Sequence, residues 1–581
     1  MITINDHHTV RMFDPWGYLE PKRRQLLEQS WSGLFRKHLF EKIPVHTIFN
    51  HFDAQNGRPT KEFFTVIGTV ALQQMHDLSD AATIEALAFN TQWHYALDII
   101  SESDTEKYLC EKTLRTYRRI LIKEKVDTLL FEGMTDTLLE QCGVDTSKQR
   151  IDSTHICSNM RTLRRIEIFA RTITGFLKKL RHSYHERFEA CIEPELSGRY
   201  LEKASDGCFS RVKPSEATPT VQQIADDLFS LVERFKSDKK IQHLHAYRLL
   251  TRVLSEQCRV VGSGNDQKVE IKPPQEVPSD SLQNPSDSDA TYDGHKGQGY
   301  QIQMMETYQP VNADGKRDTT KPNLITYTMV EPAHKPDEHA LQPALENTQS
   351  RGCGPDEAQG DASYGSDQNV QEAQAKGVSI IAPTKGASTT PARKLKDFTF
   401  DDSAHTVISC PEGHPPEKVK RMRSQRISAR FSKAHCSVCP RHATCPVVIR
   451  KNGAYLRYDE KQYRLARRRA YEQTPEFLEK YRWRAGIEGT ISHYKKDFGA
   501  GRLRVRGLAQ VRFVAVLKAL GLNIRRAAKA LAQTFFPFFP NSIRNQTYRV
   551  IVNINSVFYW LCIRSVLRYG LSKNNNSFTF M

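Results

Sequence analysis

The stretch from Tyr481 to Lys495, Y-R-W-R-A-G-I-E-G-T-I-S-H-Y-K, constrains this chain more than any other. At about 100° per residue on an α-helix, Tyr481, Arg484, Glu488 and Lys495 fall within an arc of roughly 60°. These polar side chains would share one narrow face, while Ile487, Ile491 and Phe498 lie beside them as a core stripe. The carboxylate then stands at the edge of the core with basic groups above and below. A solvated face closed by an Arg484–Glu488 pair at i,i+4 has the same spacing. A catalytic reading therefore needs further carboxylates from elsewhere in the chain.

The balance of charge points to a class of partner. A net charge of +18 over 581 residues favours a polyanion, because each neutralised phosphate releases counterions. It says nothing about fold. The N-terminus M-I-T-I-N-D-H-H-T-V lacks the basic and apolar regions of a signal peptide. The most apolar stretch, Tyr548–Leu567, is interrupted by Arg549, Asn553, Asn555 and Arg564, so no membrane span is expected. The expectation is a cytoplasmic protein whose twelve cysteines are thiols or metal ligands rather than disulfides.

Residues 1–145 read as a helical module. Thr60 is placed to cap a helix with a Phe63, Phe64, Ile67 and Val70 stripe, and Ser79-Asp80 opens another. A later helix carries Arg115, Arg118, Arg119 and Lys123. That basic element suits DNA binding, and equally a packing module with solvated charges. The run Q-R-I-D-S-T-H-I-C, within residues 146–160, is β-type with Asp152 in its middle, a costly place for a lone carboxylate. Residues 161–261 return to basic amphipathic helix, with Ile166, Phe169, Ile173, Phe176 and Leu180 at helical spacing. Residues 262–296, rich in Ser, Asp and Pro, read as a flexible linker.

Within residues 297–395 two β-type runs, 299–308 and 324–332, flank the turn-forming N-A-D-G-K-R-D and should pair antiparallel. A short helix over 334–348 should be interrupted by Pro343. G-D-A-S-Y-G then places Asp361 at a strand end, with a helix from about Asp367 and a buried strand at Val378–Ala382. This alternation is an α/β pattern. In residues 396–455, Cys410, Cys436, Cys439 and Cys445 have the spacing of a closed tetrahedral zinc site, with His414, His435 and His442 as substitutes. Free thiols are the alternative. Residues 456–532 hold the opening helix and a basic helical run, and residues 533–581 form a tail of unread purpose.

Asp152, Asp361 and Glu488 now stand in order along the chain. This order resembles the DDE transposases of bacterial insertion sequences. The opening stretch resembles the Tyr-x2-Arg-x3-Glu-x6-Lys signature of one branch, carried here by Tyr481, Arg484, Glu488 and Lys495. I-D-S-T-H and G-D-A-S-Y-G are similar to that family's first and second Asp motifs, and G-Y-Q-I-Q-M and E-P-A-H-K-P-D-E to the strands between them. The cysteine insert and the helical N-terminal module also resemble a subgroup of it. The polar lead-in G-P-D-E-A-Q-G departs from the family, where a hydrophobic strand precedes the second Asp, and leaves Asp293 and Asp337 as fallbacks for Asp361.

The resemblance implies a ribonuclease-H-like α/β catalytic domain with a helical N-terminal domain, a helical insertion and a small Cys-rich insertion. It implies Asp152, Asp361 and Glu488 as catalytic ligands for Mg²⁺ or Mn²⁺; the zinc expected from the cysteine spacing, closed by four protein ligands, would be structural. Tyr481, Arg484 and Lys495 would handle DNA near the cleaved phosphate, with Arg115, Arg118 and Arg119 as further DNA contacts. The implied activity is cleavage at the element's terminal inverted repeats and strand transfer into target DNA, by a homo-oligomer acting as a dimer on double-stranded DNA in the bacterial nucleoid. A hydrolytic nuclease of the same fold and an inactive DNA-binding remnant acting as a regulator are the alternatives.

Overall fold

The nine-residue strand β1 (Lys148–Ile156) lies at the centre of the main sheet in the computed structural model. The structure describes residues 1–535 apart from 8, 10, 203–213, 310, 312–317 and 387–394. The other strands of the sheet are β2 (Thr291–Asp293), β3 (Gly297–Thr307), β4 (Ile325–Pro332), β5 (Glu357–Gln359) and β6 (Ser379–Ile381). Strand β3 runs antiparallel to β1 from Gln149↔Thr307 to Ile156↔Tyr300, and β4 runs antiparallel to β3. On its other edge β1 pairs in parallel with β5, which pairs in parallel with β6. The order is therefore β4-β3-β1-β5-β6, with β2 on the start of β3. The expected antiparallel pair and the expected late strand are β3, β4 and β6; most of the turn between β3 and β4 lies outside the described residues.

Strand β5 forms where the sequence is polar. Ala358 is buried between two parallel neighbours, and the flanking side chains find partners. Glu357 accepts from the Tyr308 hydroxyl at 2.9 Å, and the Gln359 amide donates to the Lys480 carbonyl at 2.9 Å. Partners from distant segments let a polar strand form, which β-propensity does not register, and Gln359 Oε1 alone of these side-chain atoms is buried without a hydrogen-bond partner.

Helices cover the sheet. Toward the N-terminus lie α1 (Phe63–Met75), α2 (Asp80–Phe89) and α3 (Glu111–Lys123). Ser79 caps α2 as expected, but α1 is capped by Glu62, whose carboxylate accepts from the Phe64 and Thr65 amides. Thr60 instead accepts from the Thr3 amide. Most buried apolar residues of 1–145 share one core with Ile156, Tyr300, Ile302, Met304 and Ile325 of the sheet, with Trp16, Leu19, Leu27 and Tyr95 in a small cluster of their own, so this module is not separately packed. The joining element is α6 (Leu508–Phe535), the expected basic run. Its charges turn inward: Arg512 pairs with Asp127 at 3.0 Å, Lys518 with Asp77 at 2.7 Å and Arg526 with Glu306 at 3.1 Å. On the opposite face Ile151, Met305 and Leu345 pack with Tyr364. Pro343 sits in the first turn of the helix Leu341–Ser350, where a missing N–H costs nothing, so it interrupts no helix.

Residues 161–261 enclose a core of their own around Phe169, Ile173, Phe176 and Leu180. The segment 262–296 departs from the expectation of a flexible linker. Lys268–Ile271 pairs with Cys258–Val261, Leu282 is buried, and the Asp287 carboxylate accepts from Ser158, Tyr300 and the Gly507 amide. Acidic and Ser-rich composition here supplies acceptors for neighbouring elements instead of a solvated coil. Residues 396–455 build a small antiparallel sheet of Lys418–Arg421, Ile427–Phe431, Gly453–Tyr458 and Val448–Arg450. No helix among the described residues is long and apolar enough to cross a membrane.

Candidate active site

Asp152 projects from the middle of β1 and Asp361 follows two residues after β5, so neighbouring parallel strands present both carboxylates at one end of the sheet. Asp152 is nearly buried. Its Oδ1 accepts from the Ser153 amide at 2.8 Å and its Oδ2 from Arg484 Nη2 at 2.8 Å. Burial pushes this carboxyl above the usual range; Arg484 opposes the shift, while Asp361 and Asp337 add to it as neighbouring negative charges. Asp361 is held by a turn in which its Oδ1 accepts from the Ser363 amide at 2.8 Å. Behind it Tyr364 is fully buried, its hydroxyl pushed well above the usual range by burial and by Asp337, Asp152 and Asp361.

The third carboxylate arrives on α5 (Gly486–Lys496). The expected continuous α-helix is broken into the helix Pro475–Tyr481, a 3-10 turn over Arg482–Ala485, and α5. The tighter turn changes the phase between Tyr481 and Glu488, so the face is not a single α-helical stripe. Ile487 and Phe498 are buried, as the stripe predicts. Glu488 itself is 68% exposed and meets the site through Arg484, whose Nη1 is 3.7 Å from Glu488 Oε1. Arg484 thus bridges Asp152 and Glu488, and its buried Nε has no hydrogen-bond partner. Tyr481 stacks on Phe477 at 5.4 Å. Burial pulls the Lys495 ammonium below the usual range.

Of the fallbacks, Asp293 caps the hairpin between β2 and β3, accepting from the His295 and Lys296 amides. Asp337 belongs to the site. Lys296 Nζ donates to Asp337 Oδ1 at 2.9 Å and to Ser153 Oγ at 2.9 Å, beside Asp152. Gln303 Nε2 donates to Asp337 Oδ1 at 2.8 Å, and the Tyr364 hydroxyl donates to Gln303 Oε1 at 2.5 Å. Lys296, Gln303 and Tyr364 were not singled out from sequence. Gln303 stands opposite Ser153 in the pairing of β3 with β1, a register the sequence alone does not give.

Other expected residues fall elsewhere. Arg118 turns onto Asp80 at 2.6 Å and Gln73 at 3.0 Å, so it serves the packing of α2 on α3. Arg115 pairs with Glu111 and lies 3.5 Å from Asp80, while Arg119 is exposed. Cys410, Cys436, Cys439 and Cys445 line one cavity with His414, His435 and His442. Burial pushes the Cys436 thiol up, with Cys445, Cys410 and Cys439 adding to the shift. Yet among the described residues no three His, Cys, Asp or Glu side chains stand close enough to hold a metal ion, so the zinc expectation gains no support. The rings of His414 and His435, which line that cavity, stack 4.4 Å apart.

A family model described as Transposase DDE domain matches residues 409–528, which include the cysteines, Glu488 and most of α6 but neither Asp152 nor Asp361. No curated protein and no solved structure matches. The matched region is similar to a transposase DDE domain and lies within a mixed α/β fold.

Proposed function

We propose that this chain cleaves DNA at the ends of a mobile element and joins them to target DNA, using Asp152, Asp361 and Glu488. The carrying observation is that β1 and β5 bring Asp152 and Asp361 to one end of the sheet, where Arg484 links Asp152 to Glu488. The strand order, with β3 antiparallel beside β1 and β5 parallel on its other edge, agrees with a ribonuclease-H-like core.

The donor chemistry is the kind a hard divalent cation takes, but among the described residues no three of these carboxylates stand close enough to hold one as they are placed. The donors are carboxylate oxygens, Asp152 is raised by burial and by its acidic neighbours, and an arginine now offsets that negative charge. Asp152, Asp361 and Glu488 would hold Mg²⁺ or Mn²⁺, which when bound supplies Lewis acidity toward the attacking and leaving oxygens of a phosphodiester. The protein's own groups do the remaining work. Arg484, released from Asp152, and Lys495 suit phosphate oxygens. The Tyr481 ring offers a stacking surface. Water attack on the phosphodiester at the element end breaks the P–O3′ bond and frees a 3′-hydroxyl. That hydroxyl attacks a target phosphodiester, forming a new P–O3′ bond and expelling the target's 3′-oxygen. Each step conserves charge, and none needs a covalent protein–DNA bond.

The test is Mg²⁺-dependent cleavage of duplexes carrying the DNA that flanks the gene. Asp152→Ala, Asp361→Ala and Glu488→Ala should each abolish cutting and keep binding to the ends. Normal cutting by Asp361→Ala, with loss in Asp337→Ala, would transfer the second position to Asp337.

A further inference from the structure

We propose that Glu306 is a positioning residue: with Arg150, Thr490 and Arg526 it clamps α5, which carries Glu488, onto β1, which carries Asp152. The inference rests on the reading of the site given above.

Glu306 lies on β3 directly opposite Arg150, which precedes Asp152 by two residues on β1 and so faces the same side of the sheet. The Glu306 carboxylate is wholly buried, and both oxygens are used. Oε1 accepts from Arg150 Nε at 2.8 Å and Nη2 at 2.6 Å. Oε2 accepts from the Thr490 hydroxyl at 2.6 Å and from Arg526 Nη1 at 3.1 Å. Arg526 Nη2 closes the circuit by donating to Thr490 Oγ1 at 2.6 Å. Arg150 Nη1 donates to the Trp483 carbonyl at 2.6 Å, in the 3-10 turn that leads into α5. One carboxylate thus ties the first strand, the start of α5, its second turn and α6.

The fit at the start of α5 depends on glycine. A Cβ on Gly486 would lie 2.1 Å from Arg150 Nη1, so only glycine lets the guanidinium reach past the helix to the Trp483 carbonyl. Around the axis of α5, Thr490 stands about 200° from Glu488. The clamp therefore grips the side of the helix away from the carboxylate and leaves Glu488 exposed. Stability alone gives no reason for this arrangement, because a buried ionic cluster is commonly no better than apolar residues of the same volume. What bonds of fixed direction add is the rotation and height of α5 against β1, and a misplacement of about 1 Å can cost on the order of 100-fold in rate.

Thr490→Val is close to isosteric and removes the hydroxyl; Thr490→Ser keeps it. Full-length protein would be assayed for single-turnover nicking of duplexes carrying the flanking DNA, with Mg²⁺, beside Glu488→Gln. The expected result for Thr490→Val is a rate lower by on the order of 10- to 100-fold, at unchanged half-saturating DNA concentration, with the unfolding midpoint lowered only by the loss of one hydrogen bond to a buried charge. Thr490→Ser should stay near the parent rate. Gly486→Ala should also be slow, and Arg150→Lys, which withdraws Nη1, should restore part of its rate in the double variant. The clamp is overturned if Thr490→Val nicks at the parent rate, if Thr490→Ser loses as much, or if the loss tracks the unfolding midpoint. A Glu488→Gln protein that still nicks would instead overturn the reading of the site and the clamp with it.

Discussion

Arg484→Met offers the most direct test of how the acidic centre is balanced. The guanidinium lies 2.8 Å from Asp152 and 3.7 Å from Glu488, and the Arg484 and Asp152 side chains are only 22% and 12% exposed. Methionine keeps the length and removes the charge, leaving a buried carboxylate whose neighbours are Asp361 and Asp337. Removing one partner of a buried pair costs about 3–5 kcal/mol, and partial exposure places this case near the lower end, about 3 kcal/mol. For an unfolding unit of about 150–250 residues that is a fall of roughly 6–12 °C in Tm. The reasoning also fixes the response to metal. A cation present at about 100 times its Kd stabilises by about 2.7 kcal/mol, and in the parent protein Arg484 competes with it for Asp152. Thermal unfolding in EDTA and across a Mg²⁺ titration should therefore show the variant destabilised without metal and largely restored with it, while the parent responds less. An unchanged Tm in EDTA, or a Mg²⁺ response no greater than the parent's, would refute the competition between guanidinium and cation.

Three further outcomes are expected. His7 is paired with Asp98 at 2.8 Å; burial opposes its protonation, but Asp98 and Glu62 outweigh that and raise its pKa from 6.5 to about 9. Its folded-state pKa is raised, so the stabilisation, about 3 kcal/mol counted once for the cluster, is complete below pH 6.5 and lost as pH rises through about 9. Urea unfolding followed by tryptophan fluorescence at both ends of that window should show the loss, and His7→Leu should remove the pH dependence. Gly365→Ala would place a Cβ 1.9 Å from the Pro383 carbonyl oxygen, so it should destabilise by about 1–3 kcal/mol and lower cleavage by shifting the Asp361 loop; parent-like cleavage would place that loop outside the site. Affinity for DNA should fall with a log–log salt slope of about −0.9 per neutralised phosphate, and a flat response in a filter-binding titration would sever the +18 charge from DNA binding.

How much of this was legible in the sequence depended on whether a residue's partner is near it in the chain. Asp152 could be placed because Q-R-I-D-S-T-H-I alternates and needs no distant contact to read as a strand. Ser79, α2 and the helix α4 (Asp367–Ala375) were readable for the same reason, as local caps and periods. Strand β5 could be expected from the Asp361 motif but not from its own residues, because Glu357 and Gln359 bond to Tyr308 and Lys480, 49 and 121 residues away. The inward turn of these α6 charges was not readable from the basic helical run, because Asp127 and Asp77 lie 385 and 441 residues from Arg512 and Lys518. Residues 262–296 read as coil because the groups that bond Asp287, on Ser158, Tyr300 and Gly507, belong to other segments.

The same distinction separates the two ways Arg484 can be understood. From the sequence its partner is Glu488, four residues on, and the pair is an ordinary helical ion pair. In the fold that contact has lengthened to 3.7 Å, and the closer carboxylate is Asp152 at 2.8 Å, 332 residues earlier. A surface pair at i,i+4 contributes a few tenths of a kcal/mol and would be replaceable on any helix face. A guanidinium held against a buried Asp on the central strand is not replaceable in that way, because Asp361 and Asp337 would leave Asp152 among like charges. The functional reading of the Tyr481–Lys495 stretch thus draws its strength from the contact that spacing could not reveal.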